Sequence, residues 1–175
     1  QPDLPADSLT KEPANNSERL ANAQHAYQTR FYFKSARLMF EAFTEDPWLA
    51  AAPAAKHRYN ASRAAALTAS GRGIDPPAPD DPARTKWRNQ ALKWMRDELA
   101  TQDSLLDEAQ SQQERMAVEE ALKMWQQSPD FEAVRENEHL DQLPETEQTD
   151  WQAFWSEVDE LLTQLDNTDE SSLDQ

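Results

Sequence analysis

The chain has 175 residues, no cysteine, and a formal net charge of −16, with 33 Asp and Glu against 17 Lys and Arg. The absence of cysteine excludes disulfides and thiolate metal sites. Only two glycines are present, and Ala, Leu, Gln and Glu are abundant, which favours helices. Most of the 11 prolines fall between apolar segments, where they end helices.

Charge is unevenly distributed along the chain. Residues 1–100 carry 14 basic and 12 acidic side chains, whereas residues 101–175 carry 3 and 21. A surface this acidic repels phosphate backbones and anionic lipid, so it disfavours nucleic acid and membranes and favours a basic protein partner. The alternative is a solvated surface that only keeps the protein soluble. No apolar run approaches the roughly 20 residues that span a bilayer, and no signal-peptide pattern is visible, so we expect no membrane insertion and favour a cytoplasmic location.

Apolar periodicity predicts three helices in the first 70 residues. The first begins at Ser17, and the second runs from Tyr32 to Glu45, where Pro47 disfavours helical geometry at the preceding residue. The third is rich in alanine and runs from about residue 54 to residue 70, with Gly71 at the position that releases the chain. Trp48, just after the second helix, is predicted to seal the end of this first hairpin; the alternative is an exposed residue that contacts a partner.

Three further helices follow a loop over residues 71–82, which is rich in Pro, Gly and Asp. The fourth starts with Asp81 as its N-cap and reaches about Leu106, and the fifth covers residues 111–127 with Met116 on its apolar side. A short turn follows in which Phe131 can point inward. The sixth begins near Pro144 and has its apolar residues at a spacing of three and four, which is typical of one buried face: Trp151, Phe154, Val158, Leu161 and Leu165.

An internal repeat relates the second and fourth helices. When Ala36 is aligned with Ala91, each helix has an aromatic residue four positions earlier and a large apolar pair three and four positions later. The first and third helices correspond as slender, alanine-rich partners. The chain therefore alternates two helix types, as repeat proteins do.

The second helix carries a family resemblance, in the pattern Tyr32-x-x-Ser35-Ala36-x-x-Met39-Phe40-x-Ala42-Phe43-x-x-Asp46-Pro47. It resembles the second half of a tetratricopeptide repeat. The later helical segments occur in the same order as in a tetratricopeptide-like module. That module forms the C-terminal part of many planctomycete-type bacterial proteins, including serine/threonine kinases. The chain departs from that module at Ser62 and Arg63, where Ala-Cys is commoner.

The resemblance implies an all-α array of helical hairpins with a right-handed superhelix. Its hairpins would cover residues 17–46, 54–106 and 111–166, with a flexible lead-in at 1–16 and a disordered acidic tail at 167–175. Such a module binds other proteins or positions an attached domain. The alternative is a C-terminal regulatory fragment of a bacterial serine/threonine kinase, although the kinase motifs themselves do not occur in this sequence.

Catalytic and metal-binding patterns are weak in the sequence. His25, His57 and His139 lie on separate segments without metal-ligand spacing, and no serine stands in a Gly-x-Ser-x-Gly elbow. A carboxylate-based metal-dependent enzyme would need acidic groups held in a partly dry cleft, and adjacent carboxylates on a solvated helix do not provide one. We therefore predict a non-enzymatic interaction module without cofactor or metal.

In stacked hairpins the first helix of each pair lines the concave surface, so its polar residues are the candidate partner contacts. These residues come from the first and third helices, and among them Arg63 could pair a carboxylate. The alternative is that all of them only face solvent. The candidates are Asn22, His25, Gln28, His57, Asn60 and Arg63.

Overall fold

The computed structural model describes residues 12–52 and 55–173, and for residues 168–173 it describes the backbone alone. This part of the chain is all-helical, as predicted, and contains no strand. The six predicted helices are all present, and three short ones were not predicted. In order, the elements are α1 (Asn16–Gln28), α2 (Tyr32–Glu45), α3 (Trp48–Ala51), α4 (His57–Ala69), α5 (Asp81–Glu108), α6 (Gln112–Gln127), a 3₁₀ helix (Pro129–Val134), α7 (Asn137–Leu140) and α8 (Glu145–Leu173).

Several helix ends differ from the predicted bounds. The predicted start of the third helix at Ala54 lies outside the described residues, and α4 begins at His57. The helix α8 continues to Leu173, into the segment 167–175 that composition predicts to be disordered, because no Gly or Pro follows Pro144 to end it. Of the predicted lead-in 1–16, residues 1–11 also lie outside the described residues, as do residues 174 and 175 at the other end.

Side-chain caps explain the starts of α5 and α6. The cap of α5 is Asp80 rather than the predicted Asp81, since the carboxylate of Asp80 accepts the Ala83 N–H at 2.9 Å. At α6, Ser111 and Glu114 form a reciprocal capping box. Hydrogen bonds from the backbone N–H groups of Gln110 and Ser111 and from the Ser111 hydroxyl lower the pKa of the Glu114 carboxyl.

The long loop after α4 returns to the start of α2. Gly71 has φ +72, and the Arg72 N–H donates to the Leu67 carbonyl at 3.2 Å, which confirms the predicted glycine cap of α4. Further on, the two carboxylate oxygens of Asp75 accept the N–H groups of Phe33 at 3.1 Å and Lys34 at 3.0 Å. No side chain at the start of α2 caps that helix, so the loop supplies its cap.

Described residues pack as two compact units, 1–95 and 96–175, with the boundary inside α5. In the first unit α4 is buried along most of its length, and its alanines, such as Ala61, Ala64 and Ala65, are fully buried. Small side chains of this kind allow neighbouring helices to approach closely. The repeated alanines Ala36 and Ala91 are also fully buried.

Aromatic rings join α2 to the first part of α5. Phe33 and Phe40 pack edge-on against Trp87, with centroids 5.9 and 6.5 Å apart, and Phe43 packs edge-on against Trp94 at 5.7 Å. Edge-to-face pairs at these distances add to the free energy gained by burial. The two helices that correspond in the sequence repeat are therefore packed against each other.

Trp48 does not seal the hairpin, so that prediction is wrong. The ring is 83% exposed, and none of the four residues of α3 is buried. The Trp48 N–H donates to the Asp46 carboxylate at 3.1 Å, and this turn carries the chain away from α2 before the short helix begins.

The second unit is organised around α8. The predicted stripe on this helix is confirmed, since Trp151, Phe154 and Val158 are buried with Leu161 and Leu165. Phe131 of the 3₁₀ helix is also buried, as predicted, and packs on Trp155, whose indole N–H donates to the Val134 carbonyl at 2.9 Å. On α6 the prediction for Met116 is wrong, because its side chain is 47% exposed.

Candidate functional site

A groove of about 620 Å³ opens within the first unit, between α1 and α4. Residues of α1 and α4 form its walls, and Ser35 and Met39 of α2, which contacts both helices, form its floor. The groove is mixed in character, with an aromatic ring, three amides and a guanidinium among apolar side chains. It is lined by Leu20, Ala21, Gln24, Tyr27, Gln28, Ser35, Met39, Ala55, His57, Asn60 and Arg63.

Four of the six predicted site residues, Gln28, His57, Asn60 and Arg63, meet at this groove, whereas Asn22 and His25 do not line it. Helical geometry explains the split, because the lining residues of α1 recur at three and four positions and Asn22 lies on another face. Asn22 is buried, at 9% exposure, and His25 is half-buried.

Arg63 is held in place by neighbouring side chains. Its guanidinium donates to the Tyr27 hydroxyl at 2.5 Å and to the Asn60 side-chain oxygen at 3.5 Å. The same group lies 4.7 Å from the ring centroid of Tyr27 and 5.4 Å from that of Tyr59, within the range of cation–π attraction. A guanidinium fixed by a hydrogen bond and two rings loses little further freedom when it binds a ligand.

Positive charge in the groove is concentrated on Arg63. His57 is the first residue of α4, and burial lowers the pKa of its imidazole, which favours the neutral form of the ring at pH 7. Among the described residues that line the groove, none is acidic and Arg63 carries the only full charge at that pH. The net charge of the side chains that line the groove is therefore opposite in sign to the −16 of the whole chain.

Several residues of α1 and two of α2 line the groove although the sequence did not predict them as partner contacts. Gln24 stands one helical turn before Gln28, so its place on the same wall follows from the helix period. Ser35 and Met39 have no such signal, because they lie on the buried face of α2, where the sequence predicts core packing. Their place in the floor depends on how α2 packs against α1 and α4.

A second cleft, of about 320 Å³, lies in the 96–175 unit. Its charged residues are Arg96, Asp103, Glu157 and Glu160, from the second part of α5 and from α8. Over residues 12–52 and 55–173, no group of three or more His, Asp or Glu side chains is arranged to hold a metal ion. The groups that the first groove offers are hydrogen-bond donors, acceptors and one cation, which recognise a ligand without requiring a metal.

No helix in the described part of the chain is both long enough and apolar enough to cross a membrane. Comparisons of the chain with protein-family models, with curated proteins and with solved structures find no match.

Proposed function

We propose that the chain is a non-catalytic protein-binding module of tetratricopeptide type, and that the groove between α1 and α4 holds a segment of a protein partner. The observation that carries this proposal is the fixed guanidinium of Arg63, which lines an open groove among the amides of Gln24, Gln28 and Asn60. These groups suit the backbone and side chains of a peptide.

The alternation of helix types supports the same proposal. The slender helices α1 and α4 form the groove, while α2 and α5 carry the large aromatic residues and pack on each other. In helical-hairpin repeats the first helix of each hairpin lines the concave binding surface. Ala36 and Ala91, which correspond in the sequence repeat, are both fully buried, as expected for equivalent positions of two such hairpins.

The groove and the acidic second unit suit ligands of opposite charge. A basic partner fits the surface of residues 101–175, whereas the cation at Arg63 suits a carboxylate on the bound segment. The segment in the groove therefore carries an acidic side chain or a terminal carboxylate near Arg63.

Selection from a random peptide library tests this proposal. Peptides that bind the full chain are sequenced, and their affinities are measured by fluorescence anisotropy. We expect the selected peptides to share a carboxylate. Arg63→Ala and Asn60→Ala should weaken binding about tenfold or more, which corresponds to about 1.4 kcal/mol. Arg63→Lys should give an intermediate loss, because it keeps the charge but not the planar fork.

Two controls separate binding from folding. Arg37→Ala removes an arginine that pairs with Glu41 on α2 outside the groove, and it should leave the affinity unchanged. Trp94→Ala removes a buried ring, so it should lower the melting temperature and the affinity together. Normal binding by both Arg63→Ala and Asn60→Ala, with selected peptides that lack a carboxylate, would falsify the groove assignment.

A further inference from the structure

Among the described residues of the 1–95 unit, the large apolar side chains that are most exposed lie on α2 or beside one of its ends. Phe33 and Phe40, at 37% and 41% exposure, are on the helix. Ile74, which is 54% exposed, immediately precedes Asp75, the residue that caps the N-terminus of α2. Trp48, which is 83% exposed, lies just after the C-terminus of α2. We name these four residues the α2 row. The helix that connects them is about 21 Å long, from 14 residues at about 1.5 Å each.

Folding alone does not account for this row. Exposed apolar residues that occur singly are ordinary. Phe33 and Phe40 share one face of α2, since both pack against Trp87, and exposed apolar residues grouped on one face mark an interaction surface. Tryptophan is also the residue most enriched among those that dominate binding energies. Trp48 gains little from the fold at 83% exposure, so its contribution is available to a partner.

Two rings of the row pack against buried tryptophans of α5. Phe33 and Phe40 rest their edges against Trp87, and Phe40 also contacts Trp94 at 6.4 Å. Both tryptophans are buried, at 5% exposure. The two phenylalanines are therefore presented in a fixed geometry, and a partner would not have to order them on binding.

Basic side chains outnumber acidic ones in the part of α5 whose Trp87 packs against Phe33 and Phe40. Residues 83–95 of α5 carry Arg84, Lys86, Arg88 and Lys93 and include no acidic residue. The Lys86 ammonium lies 5.9 Å from the ring centroid of Trp87, the ring that contacts both phenylalanines. A partner on this surface thus meets apolar rings beside positive charge, which complements an acidic ligand.

We propose that the α2 row binds an acidic amphipathic helix of a partner protein. Phe33 and Phe40 are seven residues apart, about 10.5 Å along the helix, which matches apolar residues at i, i+4 and i+7 of a partner helix. The chain's own acidic helix α8 does not fit, since its stripe of Trp151, Phe154 and Val158 is already buried in the second unit. The row shares no residue with the groove, so this proposal is independent of the proposed function.

Synthetic helical peptides test the proposal on the full chain. The probe is a fluorescein-labelled peptide of about 18 residues, about 27 Å of helix, with leucine on one face and glutamate on the other. A matched peptide has lysine in place of every glutamate. We expect the glutamate peptide to bind and the lysine peptide to bind at least about tenfold more weakly in fluorescence anisotropy.

Variants assign the binding to the row. Trp48→Ala and Ile74→Ser change exposed side chains, so they should leave the melting temperature unchanged and weaken binding of the glutamate peptide about five- to tenfold each. Met116→Ser alters another exposed apolar residue, on α6, and should leave binding unchanged. Arg63→Ala should have no effect here, which separates this surface from the groove.

Three outcomes would overturn the proposal: no binding of the glutamate peptide, equal binding of the lysine peptide, or normal binding by both Trp48→Ala and Ile74→Ser. A fourth outcome comes from the oligomeric state of the chain without peptide, measured by analytical ultracentrifugation. If the chain self-associates and Trp48→Ala makes it monomeric, a second copy covers the row and the acidic partner helix is wrong.

Discussion

Two residues in left-handed backbone conformation occupy equivalent places at the ends of α1 and α4. Arg30 has φ +65 and Gly71 has φ +72. In each case the following N–H reaches back five residues along the chain, from Phe31 to Ala26 at 2.8 Å and from Arg72 to Leu67 at 3.2 Å. This is the Schellman ending of a helix, and glycine adopts its left-handed residue without a steric cost. The same cap is thus unstrained after α4 and strained after α1.

Exchanging these residue types should change stability in opposite directions. Arg30→Gly removes the cost of a side chain at positive φ and should raise the free energy of unfolding by about 0.5–1 kcal/mol, net of the added freedom of the unfolded chain. Gly71→Ala should lower it by about 1 kcal/mol. Urea denaturation followed by circular dichroism measures both.

Arg30→Ala is the control, because it keeps the strained backbone and removes only the hydrogen bond from the Arg30 side chain to the Arg72 carbonyl. A stability of Arg30→Gly at or below that of Arg30→Ala would contradict the strain argument.

At the scale of elements, α2 depends on a residue more than 40 positions away in sequence. Asp75 accepts two N–H groups of the first turn, a turn in which α2 has no acidic residue of its own. Carboxylates near a helix N-terminus are favoured by the hydrogen bonds and by the helix dipole. The loop over residues 71–80 therefore stabilises a helix that it does not adjoin in sequence.

Asp75→Ala should lower the free energy of unfolding by about 1–2 kcal/mol, the usual effect of losing a capping side chain. Asp75→Asn keeps one acceptor oxygen and should lose less. Asp80→Ala, at the start of α5, is a matched comparison, because the Asp80 carboxylate accepts the N–H group of Ala83 whereas Asp75 accepts two N–H groups. Hydrogen exchange of the first turn of α2 locates the effect, and unchanged exchange there in Asp75→Ala would show that the cap contributes nothing.

For the whole molecule, charge is the feature with the largest imbalance. Residues 101–175 carry 21 acidic and 3 basic side chains, whereas the first 100 residues are nearly balanced. Repulsion among these carboxylates opposes compactness of the second unit, and salt screens it.

Raising NaCl from about 20 mM to about 300 mM shortens the Debye length from about 20 Å to about 6 Å. We therefore expect hydrogen-exchange protection to increase more in α6 and α8 than in α2 and α4. Mass spectrometry of peptic fragments measures both sets in one sample. An equal increase in all four helices would mean that charge repulsion does not limit the stability of the second unit.

Much of the local structure followed from sequence alone. The six long helices, the glycine cap at Gly71 and the buried stripe from Trp151 to Leu165 were predictable, because helix period and capping depend on residues within a few positions of one another. Four groove residues were predictable for the same reason.

Tertiary structure decided the remainder. The floor of the groove at Ser35 and the cap from Asp75 depend on contacts between residues far apart in the chain, and Trp48 is exposed because no helix in the described part of the chain packs over it. Periodicity assigns a side chain to a face of its helix, but it does not determine which neighbour covers that face. That choice is set by packing among several helices at once, and here it also brought the phenylalanines of α2 against Trp87 and Trp94 of α5.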